Sequence, residues 1–341
     1  MRIIIASIQA PFIKGGAELM IEGLKNAIIQ TGAEVEIVRL PFKFSPESYV
    51  SDSMDIWKKQ DFNSFNGFYI DKVLALQFPA YYVQHDHKIL WLMHQHRSVY
   101  ELYYKKQTTN AIDRLHKKIH LNDTNELIKI KKRYSMCQNI SNRLKKYNGI
   151  DSTPIYHPPA NKEKFYCEES YNFIFFPSRL EELKRQELLI KAMQYTRSPI
   201  KAIIAGEGGQ FDNYTRLISS INIADKVRLI GHISDEEKYA LYARCIAVFF
   251  APYDEDYGYI TLEAMLSSKP VITCIDSGGP LEFVINNETG FILEPDPQQI
   301  AEKIDWLYNN KIRAMEIGKN GFQVYLEKNI SWDNVVTTLL N

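Results

Sequence analysis

The chain has 341 residues, 45% of them hydrophobic and 24% charged, a globular composition that excludes an intrinsically disordered protein. This length exceeds what one hydrophobic core normally supports, so two domains are expected. The 41 basic and 41 acidic residues cancel, which excludes a histone-like or polyanion-coating protein and gives no reason to expect a nucleic-acid partner.

The N-terminal third predicts a βαβ unit followed by two more strands. The crossover makes the sheet parallel, and ligands of such sheets collect at the carboxyl ends of the strands. Gly15 and Gly16 lie between the first strand and helix, where backbone N–H groups can approach a phosphate, although a plain tight turn explains the pair equally well. The predicted elements are the strand Arg2–Ile8, the helix Ala17–Thr31 and the strands Glu34–Val38, Lys72–Leu76 and Lys88–Met93.

Residues 105–148 are strongly basic. They hold twelve Lys or Arg against three acidic residues, a net of about nine positive charges. One interpretation is a solvated helical face that is balanced by acidic residues elsewhere. The other is a patch that rests on an anionic membrane surface or grips an anionic acceptor.

The cluster His157-Pro158-Pro159 interrupts regular structure, and the βαβ rhythm restarts after it. We predict an N-terminal domain over 1–157, a C-terminal domain over 158–325, and a final segment, 326–341, whose helix packs back on the N-terminal domain. The elements of the second half are the strands Asn172–Phe176, Ile200–Ala205, Val227–Ile230, Ala247–Ala251 and Pro270–Cys274, the helices Gln186–Met193, Asp212–Ile221, Asp235–Ala243 and Tyr259–Leu266, and helices near 298–310 and 311–328.

Two pairs of charged residues in the second half suit a phosphorylated sugar ligand. Arg179 and Lys184 follow a strand; a guanidinium fork and a mobile ammonium suit a diphosphate, although a surface charge pair has the same spacing. If a helix begins near Tyr257, Glu255 projects from the preceding loop and Glu263 from the second turn, and both carboxylates can accept hydroxyl hydrogen bonds from one ligand. Helix-start acids favoured by the macrodipole are the alternative for Glu255.

No metal site is expected. Asp254-Glu255-Asp256 forms a DxD triplet, but it precedes a helix, where acidic residues are common. The His85-x-His87 and His94-x-His96 pairs have no nearby third ligand. His94 ends a strand, so it could bond a sugar hydroxyl or share a proton, or it could simply pack; the choice between His94 and His96 stays open.

Taken together, the motifs resemble the retaining GT-B glycosyltransferases of the family 4 type. The resemblance spans nearly the whole chain, is strongest over 172–295, and departs from the family at Cys137, where a serine is usual. Its most specific elements are the E-x7-E and R-x4-K spacings. It rests on Gly15-Gly16-Ala17-Glu18, WLMHQHR at 91–97, PSRLEELKRQELLIKAM at 177–193, IAGEGGQ at 204–210, LIGHISDEE at 229–237, EDYGYITLEAM at 255–265 and SGGPLEFVINNETGFI at 277–292.

The resemblance implies an α/β GT-B fold, two Rossmann-like domains facing each other across a cleft, with the nucleotide sugar on the C-terminal domain and the acceptor on the N-terminal one. Arg179 and Lys184 would neutralise the diphosphate, Glu263 would take the ribose hydroxyls, and Glu255 and His94 would lie beside the donor sugar. The remaining donor contacts implied are Gly15, Gly16, Gly206, Tyr257, Gly258, Tyr259, Ile260 and Thr261.

We therefore expect a retaining, metal-independent glycosyltransferase without a cofactor, which moves a hexose-type sugar from a UDP- or GDP-linked donor to a saccharide or lipid-linked acceptor in bacterial surface polysaccharide or lipopolysaccharide synthesis. The alternatives are a sugar-nucleotide epimerase or hydrolase and a non-catalytic binding subunit. The scattered cysteines and the short apolar run at Met1–Gln9 favour the cytoplasm, with peripheral contact to the inner membrane face as an option.

Overall fold

The protein is represented by a computed structural model, which describes residues 1–12, 15–103 and 109–341. It divides into two compact units. The N-terminal unit comprises residues 1–160 together with 331–341, and the C-terminal unit comprises residues 161–330. The sequence predicted the boundaries between these units at 157/158 and 325/326.

The N-terminal unit is built on a six-stranded parallel sheet with the order β2-β1-β5-β6-β7-β8, and β3 and β4 form a separate antiparallel pair. The strands β1 and β5 are apolar and almost fully buried, as expected for parallel strands with both faces covered. The elements are β1 Arg2–Gln9, α1 Gly16–Gln30, β2 Glu34–Pro41, α2 Glu47–Lys58, β3 Ser64–Phe65, β4 Phe68–Tyr69, β5 Lys72–Gln77, β6 Lys88–His94, α3 Asn110–Leu127, β7 Lys132–Ser135, α4 Gln138–Asn148 and β8 Thr153–Pro154.

The C-terminal unit repeats this plan with the strand order β11-β10-β9-β12-β13-β14, again parallel throughout. Its core is the apolar surface between sheet and helices, where Phe175, Phe176 and Phe249 are fully buried. The elements are β9 Phe173–Pro177, α5 Gln186–Tyr195, β10 Lys201–Ala205, α6 Phe211–Ser220, β11 Val227–Leu229, α7 Asp235–Arg244, β12 Ala247–Phe249, α8 Tyr259–Leu266, β13 Val271–Cys274, β14 Gly290–Leu293, α9 Pro297–Asn309 and α10 Lys311–Glu327.

The last helix, α11 Trp332–Leu340, packs on the N-terminal unit. Its Trp332 indole occupies the space above Gly23 of α1, where a Cβ would lie 2.3 Å from the ring. Trp91 and His157 contact the same indole, with ring centroids 6.4 Å and 5.7 Å away. A small residue on α1 and a large one on α11 therefore fix this contact.

Candidate functional site

The strand order of the C-terminal unit indicates where a ligand binds. β9 lies between β10 and β12. The chain runs outward from β9 through β10 and β11 on one side and then crosses to β12 on the other side, so this is the topological switch point of the sheet. In open parallel sheets, ligands bind at the carboxyl ends of the strands beside such a point. Arg179 and Lys184 lie in the loop after β9, and Glu255 lies in the loop after β12, so the predicted residues flank the switch point on both sides.

Lys184 and Glu255 form an ion pair across this point. Lys184 Nζ lies 2.5 Å from Glu255 Oε2, and both side chains are only 17% exposed. The Glu255 main chain is fixed as well, since its N–H donates to the Ser277 carbonyl at 2.9 Å and its carbonyl accepts from the Gly279 N–H at 2.8 Å. Glu255 thus projects from the loop before α8, as the sequence predicted, with an ammonium already beside its carboxylate.

Arg185 braces the same loops. The Arg185 backbone is in the left-handed region, with φ of 55°. Its guanidinium donates two hydrogen bonds to Asp276, at 2.8 Å and 2.7 Å. The same group donates to the carbonyls of Ala251 and Pro252, at 2.8 Å and 2.9 Å. Sequence analysis missed this brace, because nothing in the Lys-Arg-Gln spacing separates Arg185 from Lys184.

Arg179 is exposed, unlike Lys184. Its carbonyl accepts a hydrogen bond from the buried Gln186 side chain at 2.8 Å, which holds the main chain. Within 1–12, 15–103 and 109–341, no ion pair involves the Arg179 guanidinium. Its charge is therefore available at the edge of the sheet.

Gly206 and Gly208 allow the loop after β10 to lie directly against the loop after β9. Both have positive φ, 132° and 155°, and a Cβ on Gly206 would lie 2.0 Å from the Ser178 carbonyl oxygen. The Leu180 N–H also donates to the Glu207 carbonyl at 2.9 Å. Gly206 is thus required by the contact between the two backbones, whatever it does for a ligand.

The start of α8 has the form expected of an anion-binding helix end. Gly258, with φ of 84°, precedes the first residue of the helix, Tyr259, and as the N-cap residue it has no side chain that could cap this end. The first N–H groups of a helix have no partner within the helix and favour negative charge. Tyr257 is 3% exposed and Ile260 packs against the core, so these two can meet a ligand through the main chain.

Thr261 is fully buried in this first turn. Its Oγ1 has no hydrogen-bond partner in the part of the chain that the structure describes. Buried hydroxyls in native proteins are nearly always paired, so this atom is an exception at the edge where the other predicted residues gather.

Glu263 lies on the second turn of α8 and faces α7. Its Oε2 accepts a hydrogen bond from the Tyr242 hydroxyl at 2.6 Å, and Lys238 Nζ lies 3.9 Å from Oε1. Burial raises the pKa of Glu263, while Lys238 and Tyr242 act in the opposite direction. Sequence analysis missed Lys238 and Tyr242, although their spacing of four residues on a predicted helix places them on one face.

In the N-terminal unit, the predicted glycines lie at the start of α1. The Gly15 N–H donates to the Glu18 carboxylate at 2.8 Å, and Gly16 is the first helical residue. Among the described atoms, a Cβ on Gly15 would meet only Glu18, at 3.9 Å. The described fold therefore leaves open space next to Gly15.

The structure separates the two histidines that the sequence left open. His96 is buried against the rings of Phe42 and Phe78, and burial lowers its pKa to about 4. His94 is half-buried at the carboxyl end of β6, with Nδ1 2.9 Å from the Gln95 carbonyl. His96 is thus a packing residue, and His94 is the histidine at the edge of the sheet.

Two further polar residues at this edge were missed by sequence analysis. Gln77, at the end of β5, pairs in register with His94 and donates from Nε2 to Ser7 Oγ of β1 at 3.1 Å. Both Ser7 and Gln77 are buried. They lie where the strand order of this sheet reverses, between β1 and β5.

Cys137, the position at which the sequence departs from the family's usual serine, is buried just before α4.

Part of the basic segment is neutralised by acidic partners. Arg143 is buried with Glu101 at 3.3 Å, and ion pairs at 2.7–3.0 Å join Lys118 to Asp55, Lys129 to Glu126 and Lys145 to Asp151. Lys105 and Lys106 lie outside the described residues.

Nowhere in the described ranges could three or more His, Cys, Asp or Glu side chains hold a metal ion. None of the described helices is long and apolar enough to cross a membrane.

Sequence similarity to known proteins covers parts of this chain. Residues 159–324, 166 of the 341, match the family model of glycosyl transferases group 1. An uncharacterized glycosyltransferase of Methanocaldococcus jannaschii is 29% identical over 201 residues, 58% of this chain and 53% of that protein. The human alpha-1,3/1,6-mannosyltransferase is 34% identical over 95 residues, 28% of this chain and 23% of that protein. The matches thus span about half of these relatives or less.

Solved structures extend the similarity to the whole chain at the level of fold. Sucrose-phosphate synthase of Thermosynechococcus elongatus has a TM-score of 0.77 at 17% identity and covers 98% of this chain and 96% of its own. The HepE protein of Anabaena, solved with UDP and glucose, has a TM-score of 0.69 at 15% identity and covers 100% and 98%. The predicted fold class is confirmed: the chain has the GT-B fold of two Rossmann-like α/β domains with parallel sheets, and residues 159–324 match glycosyl transferases group 1.

Proposed function

We propose that this chain is a retaining glycosyltransferase that takes a hexose-type sugar from a UDP- or GDP-linked donor and transfers it to a saccharide or lipid-linked saccharide. The observation that carries the proposal is the Lys184–Glu255 pair at the switch point of the C-terminal sheet, with Arg179 exposed beside it. Relatives matching parts of the chain are named as glycosyltransferases, among them an O-antigen chain mannosyltransferase of Escherichia coli. Synthesis of a bacterial surface polysaccharide is the biological role we propose.

The donor would bind through its diphosphate to Arg179, Lys184 and the N-terminus of α8, from Gly258 to Thr261. An arginine fork and an ammonium together suit the oxygens of a diphosphate, and the helix end adds N–H donors. The Thr261 hydroxyl, which is buried without a partner among the described residues, is a further donor in this turn. Glu263, held by Tyr242, would accept the ribose hydroxyls, and Glu255 would bond the donor sugar.

The chemistry follows from where charge develops. Breaking the anomeric C–O bond leaves negative charge on the departing diphosphate, and fixed positive groups stabilise that state more than the bound donor. Lys184 is well placed for this task, because the ion pair with Glu255 already holds its position. The leaving phosphate would take the acceptor proton, and the sugar would be attacked on the face it leaves from. No protein nucleophile and no metal ion are assigned.

The N-terminal unit would add Gly15, Gly16 and His94. Among the described residues Gly15 leaves space at the start of α1, and His94 lies at the end of β6. Contact with an anionic membrane surface through the basic segment, on the inner face of the cytoplasmic membrane, is part of the same proposal. It would depend on exposed residues such as Lys117 and Lys146 rather than on the paired ones.

The test is ligand-induced stabilisation with UDP, GDP and their sugar derivatives, with and without EDTA, followed by product analysis. A ligand at 100 times its Kd adds about 2.7 kcal/mol to stability, which a melting curve resolves. We expect one nucleoside diphosphate to stabilise the protein whether or not EDTA is present. Stabilisation that requires a divalent metal, or none with any nucleotide, would contradict the donor site.

Variants separate binding from chemistry. Arg179→Ala and Lys184→Ala should lower kcat roughly 100-fold or more at saturating donor, since each removes charge stabilisation of the leaving group. Lys191→Ala, which removes an exposed lysine on the outer side of α5, is the matched control and should keep full turnover. A new glycoside supports the transferase, while free sugar or an altered nucleotide sugar without an acceptor would identify a hydrolase or an epimerase.

A further inference from the structure

Three neighbouring parallel strands of the N-terminal unit each begin with a lysine: Lys72 in β5, Lys88 in β6 and Lys132 in β7. The register pairs Lys88 with Val73 and Lys132 with Ile89, so each lysine is stepped by one residue from the next. Adjacent strands lie about 4.8 Å apart, which brings the three lysine residues together at the amino edge of the sheet. This edge is opposite to the one that holds Gly15 and His94.

A cavity of about 390 Å³ opens at this edge, which we name the lysine cavity. Its lining includes the three strand-initial lysines together with Lys129 and Lys131. The carboxylates in the lining are Asp86 and Glu126. Five lysines therefore face two acids around a space that is large enough for a small ligand.

Acidic side chains offset this charge only in part. Glu126 is engaged by Lys129, 2.9 Å away. Among the residues that the structure describes, Lys72, Lys88, Lys131 and Lys132 form no ion pair. Glu126 acts on Lys88 and Asp71 acts on Lys72 through their charges alone, and the lysines that line the cavity still outnumber its carboxylates.

Backbone carbonyls fix the two deeper ammonium groups instead. Lys88 Nζ donates to the carbonyls of Tyr81 and Val83, at 2.9 Å and 2.8 Å, and Lys72 donates to the carbonyl of Leu340. Burial lowers the pKa of Lys88 to about 8, and burial followed by repulsion from Lys132 lowers the pKa of Lys72. These groups are placed before any ligand arrives, and an anion would relieve the repulsion of Lys72 by Lys132 and of Lys88 by Lys129.

We propose that the lysine cavity binds a phosphate-bearing anion, either a phosphomonoester or a diphosphate. Several ammonium point charges around one small space suit an anion with several oxygens. The site lies at the opposite edge of the sheet from Gly15 and His94, which are proposed donor contacts of the same unit, and it stands whether or not the chain transfers sugars. A soluble phosphate and the headgroup of a phosphatidic acid share this chemistry.

The test is a titration of the full chain with inorganic pyrophosphate at constant ionic strength, followed by calorimetry and by the ring NMR signals of His87, which lines the cavity. Lys131→Gln/Lys132→Gln removes two exposed, unpaired ammonium groups and should weaken binding about tenfold or more. Lys59→Gln/Lys191→Gln is the matched control, since it removes two exposed lysines that lie outside both the cavity and the basic segment, and it should bind as the wild type does.

Arg179→Ala separates this site from the donor site, because it should leave the His87 response unchanged even if the total heat falls. Co-sedimentation with phosphatidylcholine vesicles, with and without an equal part of phosphatidic acid, distinguishes the sources. Binding to vesicles alone assigns the headgroup, and binding to pyrophosphate alone assigns a soluble ligand. The proposal is overturned if the His87 signals do not respond to either, or if the Lys131/Lys132 variant binds as tightly as the control variant.

Discussion

The two units have the same kind of sheet but hold their carboxyl edges differently. In the C-terminal unit the loops lock together through backbone contacts at glycines and through the Lys184–Glu255 and Arg185–Asp276 pairs. In the N-terminal unit buried polar side chains dominate, and all of the eight histidines except His232 lie there. The difference teaches that the glycines and charged residues of an edge leave a local sequence pattern, whereas the partners that these residues and the buried polar side chains take across the sheet do not.

The largest effect that tests this contrast is expected from Gly206→Ala. The new Cβ would overlap the Ser178 carbonyl oxygen at 2.0 Å, and φ of 132° disfavours any side chain. Backbone has to move on both sides of the contact, so we expect a loss of about 3–5 kcal/mol in the free energy of unfolding, measured by urea denaturation.

Gly209→Ala is the matched control, because Gly209 lies in the same loop with open space around its Cβ position. It should change stability by less than about 1 kcal/mol. Equal losses in the two variants would mean that the backbone contact does not hold this edge.

The same contrast explains which elements and site residues could be predicted from the sequence. The strands β1, β2, β5 and β6 and the βαβ rhythm of the C-terminal unit follow from apolar runs, whereas α2 was not predicted and the basic segment gave no bounds for α3 and α4. Glu255 and Gly258 follow from a short motif, although Ser277 and Gly279 hold the Glu255 main chain. Tyr242 and Gln77 could not be found this way, because each reaches its partner across an interval that only the folded sheet closes, 21 residues to Glu263 and 70 to Ser7. Separating His96 from His94 likewise required the positions of Phe42 and Phe78.

Acidification should weaken the N-terminal unit selectively. Burial lowers the pKa of His157 to about 3 and that of His96 to about 4, below the value near 6.5 of an unfolded histidine. At a pH between the folded pKa of each histidine and about 6.5, the unfolded chain therefore binds more protons than the folded chain. The free energy of unfolding is consequently lost as pH falls below about 6.5. By pH 5 each histidine should cost on the order of 2 kcal/mol, because one pKa unit corresponds to about 1.4 kcal/mol.

The acids of the two units change stability in the opposite direction. Burial raises the pKa of Asp123 to about 6 and also raises that of Glu263, so each gains stability as pH falls. Hydrogen exchange, corrected for its intrinsic pH dependence, should show protection lost between pH 7 and pH 5 in residues 1–160 but not in 161–330. His157→Leu should reduce the loss, and His232→Leu, at an exposed position of the C-terminal unit, should not. A loss shared equally by both units would refute the assignment.

The smallest effect we argue concerns the buried hydroxyls that hold Asp123. Its carboxylate accepts hydrogen bonds from Tyr100, at 2.6 Å, and from Tyr82. Tyr100→Phe removes one donor and leaves the other, so at pH 7 it should cost about 1–2 kcal/mol. Loss of that hydrogen bond should also raise the pKa of Asp123 further, since the Tyr100 hydroxyl acts to lower it.

The cost of Tyr100→Phe should consequently shrink as pH falls through about 6, where Asp123 becomes protonated and needs fewer donors. The histidines act equally on wild type and variant, so they cancel in the difference between the two urea curves. Tyr69→Phe, at a tyrosine that is 53% exposed, is the control and should show neither the cost nor its pH dependence. A cost for Tyr100→Phe that stays constant from pH 7 to pH 5 would mean that the Tyr100 hydroxyl stabilises the protonated and the ionised carboxyl of Asp123 equally, which would contradict the specific role given to the ionised carboxylate.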